Sequence, residues 1–116
     1  MTEDYEYTQD RKEYLYRQAI KRWGWELQIN TLVEEMAEFI HAYMRARRNN
    51  VMVNYAMFEE LADVEIMMEQ MKVLLEDTPS MNKGNLYDSV ICEKQKKLQR
   101  LDKMIEDEIV KQMVDE

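Results

Sequence analysis

The chain has 116 residues, with 24 Asp and Glu against 16 Lys and Arg, one His, one Cys, two Gly, one Pro and 11 Met. That length suits one domain, the 46% apolar content is enough for a packed core, and a lone Cys excludes both an internal disulfide framework and a Cys-rich zinc site. A net charge of -8 argues against a binder of nucleic-acid backbones, so any phosphate ligand has to arrive with metal ions. With no apolar run long enough for a bilayer and no charged-apolar-small leader, a soluble intracellular protein is expected.

Few Gly and Pro among abundant Glu, Lys, Leu and Met predict an all-α protein of about four main helices in an antiparallel bundle, one domain spanning 1–116. Residues 1–9 read as a loosely ordered lead. The first helix starts near Asp10, which with Glu13 resembles a capping pair, carries Tyr14, Leu15, Ala19 and Ile20, and stops around Gly24. A second runs from about Glu26 to Arg48, with Ile29, Leu32, Val33, Met36, Ile40, Tyr43 and Met44 recurring at three- and four-residue steps. Arg45, Arg47 and Arg48 suit the negative end of its dipole, and Asn49-Asn50 terminates it. Asn54 is a candidate N-cap for a third helix from Tyr55 to about Glu76, bearing Phe58, Leu61, Val64, Met67, Met68, Met71 and Leu75. Asp77-Thr78-Pro79-Ser80 breaks it. A fourth helix, from about Leu86 towards the C-terminus, places Val90, Leu98, Leu101, Ile105, Ile109 and Met113 on one stripe.

Carboxylates interrupt the apolar stripes of the second and third helices, as Glu34-Glu35-Met36-Ala37-Glu38 and Glu59-Glu60-Leu61-Ala62-Asp63. At about 100° per residue, Glu35 with Glu38 and Glu60 with Asp63 are pairs one turn apart. If the two helices pack antiparallel, as their short connection predicts, four carboxylates converge and repel unless protonated or bridged by cations. Oxygen ligands without Cys or several His select hard ions, and Mg²⁺ or Mn²⁺ fits better than zinc. Glu pairs at helical spacing are also common on solvated faces, and it is the second acidic pair on the next helix that favours a site.

These motifs resemble the MazG-like all-α nucleoside triphosphate pyrophosphohydrolases, whose EExxE on one helix and ExxD on the next read here Glu34-Glu35-Met36-Ala37-Glu38 and Glu60-Leu61-Ala62-Asp63. Trp23-Gly24, the stretch from Leu61 to Lys72, and Glu93-Lys94 through Arg100-Leu101 look like short, phage-type members of that family. The resemblance implies cleavage of an NTP or dNTP between the α- and β-phosphates to a monophosphate and pyrophosphate, in a bacterial or phage-infected host cytosol. It implies Mg²⁺, with Mn²⁺ as a substitute, on Glu35, Glu38, Glu60 and Asp63, and a homodimer or homotetramer. Metal ions there offset the repulsion between substrate and carboxylates and activate water, so no side-chain nucleophile is needed. Glu34 and Glu59 either orient water or ligands from outside this set or face solvent.

Gln28 lies two turns before Glu35 and extends the same face, where it either reads a base or sugar edge or has a surface or capping role. Lys94, Lys96, Lys97, Arg100 and Lys103 form a basic run, in which Lys97 and Arg100 are candidates for the β- and γ-phosphates, against a solvated face paired with Glu93, Asp102 and Glu106. Trp23 and Trp25 read as core or interface residues ahead of a stacking platform. The methionines read as adaptable filler and Cys92 as inert. Glu38-Phe39-Ile40-His41 matches the ExxH of ferritin-like di-iron bundles, so a dimeric di-iron protein using Glu38 and His41 is one alternative. A non-catalytic helical interaction module with solvated acids is another.

Overall fold

The computed structural model describes residues 6–115, and the expected N-terminal lead lies in part outside them. Among the described residues the fold is all-α: α1 (Gln9–Trp23), α2 (Trp25–Arg48), α3 (Tyr55–Glu76) and α4 (Tyr87–Asp115), with one isolated β-bridge between Pro79 and Asn85 and no strand. The chain divides into two compact units, Met1–Leu75 and Glu76–Glu116.

Local chemistry sets the helix ends. Asp10 does not cap α1; Thr8 does, accepting from the Arg11 N–H at 3.1 Å, and Asp10 instead sits in the first turn, where its charge suits the dipole. Gly24 alone separates α1 from α2, at φ 84 and ψ 152, a backbone region essentially confined to glycine. A Cβ there meets no neighbouring atom, so the penalty for Gly24→Ala is purely conformational. That variant is expected to lose about 2 kcal/mol, read as a lower urea midpoint. At the far end of α2, Asn50 takes φ 59, while Val51 N–H reaches the Ala46 carbonyl at 3.0 Å and Asn50 N–H the Arg47 carbonyl at 3.0 Å. These paired bonds are a Schellman motif, made possible by the tolerance of asparagine for the left-handed region. Asn54 caps α3 as expected, its Oδ1 accepting from Met57 N–H at 2.9 Å. In the second unit Asn85 and Asp88 exchange side-chain to backbone bonds of 3.1 and 2.9 Å, a reciprocal box that starts α4 and that the helical periodicity did not reveal.

Within the first unit, α2 and α3 form an antiparallel hairpin. At one end the Gln70 amide donates to Gln28, and at the other Ala42 and Ala46 pack with Met57, flanked by Phe39 and Ala56. Along α2 the buried and half-buried residues include Gln28, Leu32, Glu35, Phe39, Ala42 and Ala46, and along α3 Met57, Glu60, Val64, Met67, Gln70, Met71, Val73 and Leu74. The α2 set alternates steps of four and three, the spacing of a narrow coiled-coil seam, whereas the α3 set widens towards Gln70 and Val73, where α1 also docks. This revises the expected core. Val33, Met36, Ile40, Tyr43 and Met44 of α2, and Phe58, Leu61 and Met68 of α3, are exposed. The buried end of α2 is built instead on Ala42 and Ala46, 3% and 0% exposed, and the bulkier stripe is left outside. Trp23 and Trp25, 61% and 59% exposed, are likewise not core residues.

α1 docks on the Gln70 end of the hairpin through Tyr16, which is buried and donates a 2.6 Å hydrogen bond to Glu69 of α3. Burial, this bond and the Glu69 charge together push the phenol from 10.0 up to about 12. A folded value above the unfolded one means that the Tyr16 contribution is fully present below pH 10 and is lost as pH rises towards about 12. Tyr16→Phe is therefore expected to cost about 1 kcal/mol at neutral pH. The difference between the two proteins should shrink in alkaline titrations of unfolding followed by circular dichroism.

Candidate acidic site on the α2–α3 seam

Glu35 of α2 and Glu60 of α3 occupy seam positions, and Asp63 stands one turn beyond Glu60. Each of the three offers a carboxylate oxygen, and these atoms lie within 4.8 Å of one another. Glu35 and Glu60 are half-buried and Asp63 is exposed, so the cluster opens to solvent on one side. Of the residues singled out from the sequence, these are the ones that converge. Glu38, one turn along α2 from Glu35, is exposed and is not one of the three. Its charge still acts on Glu35. Glu34 and Glu59 are exposed on the outer faces of their helices.

Burial raises the Glu35 carboxyl above the ordinary carboxylate range; the charges of Asp63 and Glu60, a hydrogen bond shared with Asp63, and the charge of Glu38 raise it further. Clustered acids with no compensating cation store repulsion, and proton uptake relieves it. A divalent cation does the same. The donor set consists of oxygen alone, with neither Cys nor His among the three, and such a set suits a hard ion that keeps part of its shell for water and phosphate. His41 is exposed and, among the described residues, takes no part in this chelating group.

Gln28 is half-buried two turns from Glu35, as its spacing predicts, but its contact is Gln70, which is buried and lies two turns beyond Asp63. Gln70 was missed by the motif reading. The mirrored spacing, seven residues before Glu35 on α2 and seven after Asp63 on α3, is the signal that could have found it. From Gln70 a cleft of about 530 Å³ opens between α1 and α3, walled by Leu15, Ile66 and the rings of Tyr7 and Tyr16, with Lys12 and Glu69 as charged members. Lys97 and Arg100 are exposed, three residues apart on α4 in the second unit.

In comparisons with known proteins the chain matches no family model, no curated protein and no solved structure.

Proposed function

We propose that the protein is a Mg²⁺-dependent nucleoside triphosphate pyrophosphohydrolase of the MazG-like kind, cleaving an NTP or dNTP between the α- and β-phosphates to a nucleoside monophosphate and pyrophosphate. The observation that carries this reading is the convergence of Glu35, Glu60 and Asp63 across an antiparallel helix pair, with Glu35 held above its ordinary range. Those three residues would hold Mg²⁺ or Mn²⁺, with Glu38 as a fourth carboxylate one turn along α2. When bound, the metal supplies counter-charge to the phosphates and Lewis acidity at phosphorus, and makes water a competent nucleophile at neutral pH.

The roles of the chain's own groups follow from their places. Glu35, Glu60 and Asp63 fix the reacting end of the substrate at the seam. Glu34, on the outer face beside them, serves at most to orient water. The Gln28–Gln70 pair lies about 10 Å along the helices from the carboxylates, taking seven residues at about 1.5 Å each. That is within reach of a nucleotide anchored by its phosphates, and each amide presents both a donor and an acceptor to a base or sugar edge. The adjoining cleft has tyrosine walls suited to a planar ring. The exposed apolar stripe of Val33, Met36, Ile40 and Met44 supports a homo-oligomer, because such a face is a poor neighbour for water.

Folded protein incubated with each NTP and dNTP in Mg²⁺ is expected to release monophosphate and pyrophosphate in equal amounts, resolved by ion-exchange chromatography. Diphosphate with inorganic phosphate, or no product across the panel, rejects the proposal. Iron oxidation that is lost in His41→Ala would move the assignment to the di-iron reading.

A further inference from the structure

No residue of α4 is buried, yet the helix carries an ordered seam of its own. Leu98, Leu101 and Ile105 follow one another at steps of three and four, with Lys94 four residues before them and Glu108 three residues after. This is coiled-coil spacing with an apolar centre and one charged residue at each end. An apolar groove of about 390 Å³ lies along it, lined by Leu101, Met104, Ile105, Glu108, Ile109 and Gln112. Charge is segregated along the same helix. Lys94, Lys96, Lys97, Arg100 and Lys103 occupy its first part, opposed there by Asp88, Glu93 and Asp102, whereas Glu106, Asp107, Glu108 and Asp115 occupy its last part, opposed by Lys111. The pairs made within the helix, Lys96 with Glu93 at 3.0 Å and Lys103 with Asp107 at 3.4 Å, are exposed and leave this polarity in place.

We propose that α4 pairs antiparallel with α4 of a second copy of this chain, about a two-fold axis beside Leu101. Leu101 is the midpoint between Lys94 and Glu108, each two turns away, so the antiparallel arrangement sets Lys94 of one copy against the partner's Glu108, and does so twice. Leu98, Leu101 and Ile105 then bury one another between the two charged contacts. A parallel pair lays the basic part on the basic part and the acidic part on the acidic part, and is disfavoured at both ends. An unrelated helix has no reason to match a pattern that complements its own reversal; a second copy matches it by symmetry. The basic run of α4 therefore has an acidic protein surface as its partner.

Sedimentation equilibrium of the full chain tests this, with helix content checked by circular dichroism. Lys94→Glu alone and Glu108→Lys alone are each expected to weaken one association step by about tenfold, more at low salt than at high salt. The combined variant, whose charges are again complementary when reversed, is expected to return to within about threefold of the parent. A second measurement fixes direction: in a Cys92→Ser background, Lys94→Cys with Glu108→Cys is oxidised and the crosslinked peptides are mapped. Links between positions 94 and 108 of different chains are expected. Single reversals without effect, a double variant no better than the singles, links joining 94 to 94, or a parent that stays monomeric would each overturn the proposal.

Discussion

Replacing Glu60 by Gln or Asp63 by Asn is expected to lower kcat/KM for pyrophosphate release by about 10³-fold, equivalent to about 4 kcal/mol of lost transition-state stabilisation. Each change is nearly isosteric and removes one charge from a cluster whose oxygens lie within 4.8 Å, so the hairpin keeps its packing while the site loses a ligand. Glu35→Gln should fall equally far. Glu38→Gln, whose carboxylate is exposed and acts on Glu35 through its charge, should lose closer to tenfold. Glu34→Gln and Glu59→Gln should remain within about threefold of the parent, as outer-face substitutions do. Steady-state assays with the preferred triphosphate decide the ordering. Equal losses in all six positions would mean that the chemistry is not organised around the seam.

The second large effect is an inversion of stability by metal. In chelator-treated solution at pH 7, Glu35→Gln is expected to melt higher than the parent by a few degrees, because it removes a half-buried charge that Asp63 and Glu60 repel. The sign of the pH dependence follows from the raised folded value. The stability gained by keeping a proton on Glu35 is fully present below the ordinary carboxylate range and is lost as pH rises through the folded value. The gap between variant and parent should therefore open on the way to neutrality and close in acid. With Mg²⁺ at about a hundred times its dissociation constant, the parent should gain about 2.7 kcal/mol, or about 10 °C in Tm, and overtake the variant. Differential scanning calorimetry with and without Mg²⁺ measures both halves. If Mg²⁺ moves neither melting temperature, the carboxylates do not form a metal site.

Much of this was legible in the residues, because helix ends and acid pairs are matters of local chemistry. Asn54, Asn50 and Gly24 act where they stand in the sequence, and the spacing of Glu35, Glu60 and Asp63 requires only helical geometry and a short connection. The choice of buried face was not legible. α2 carries two stripes of the same period, and the one through Met36 and Ile40 lies outside while Ala42 and Ala46 are buried, a choice that the periodicity does not distinguish. Glu38, one turn from Glu35, lies outside the three, whereas Asp63, one turn from Glu60 and equally exposed, belongs to them, a difference that spacing alone does not carry. Tyr16 with Glu69, 53 residues apart, leaves no trace in any local pattern.

The polar rungs of the hairpin have one further effect, on alignment. Glu35 with Glu60 and Asp63, and Gln28 with Gln70, sit at matching heights seven residues apart. A purely apolar seam could slide by one heptad and still bury its leucines and methionines. In this chain, sliding one way sets the half-buried Glu35 against Ala56, and sliding the other way sets Ala42 against Asp63, so the three carboxylates no longer converge in either case. The Gln28–Gln70 hydrogen bond breaks in either slide, and only one of the two amides then meets a carboxylate, Gln28 with Asp63 or Gln70 with Glu35. The residues proposed to bind metal thus also serve as a vernier for the two helices, and a mutation that silences the chemistry by making the seam uniformly apolar would blur the register that placed it.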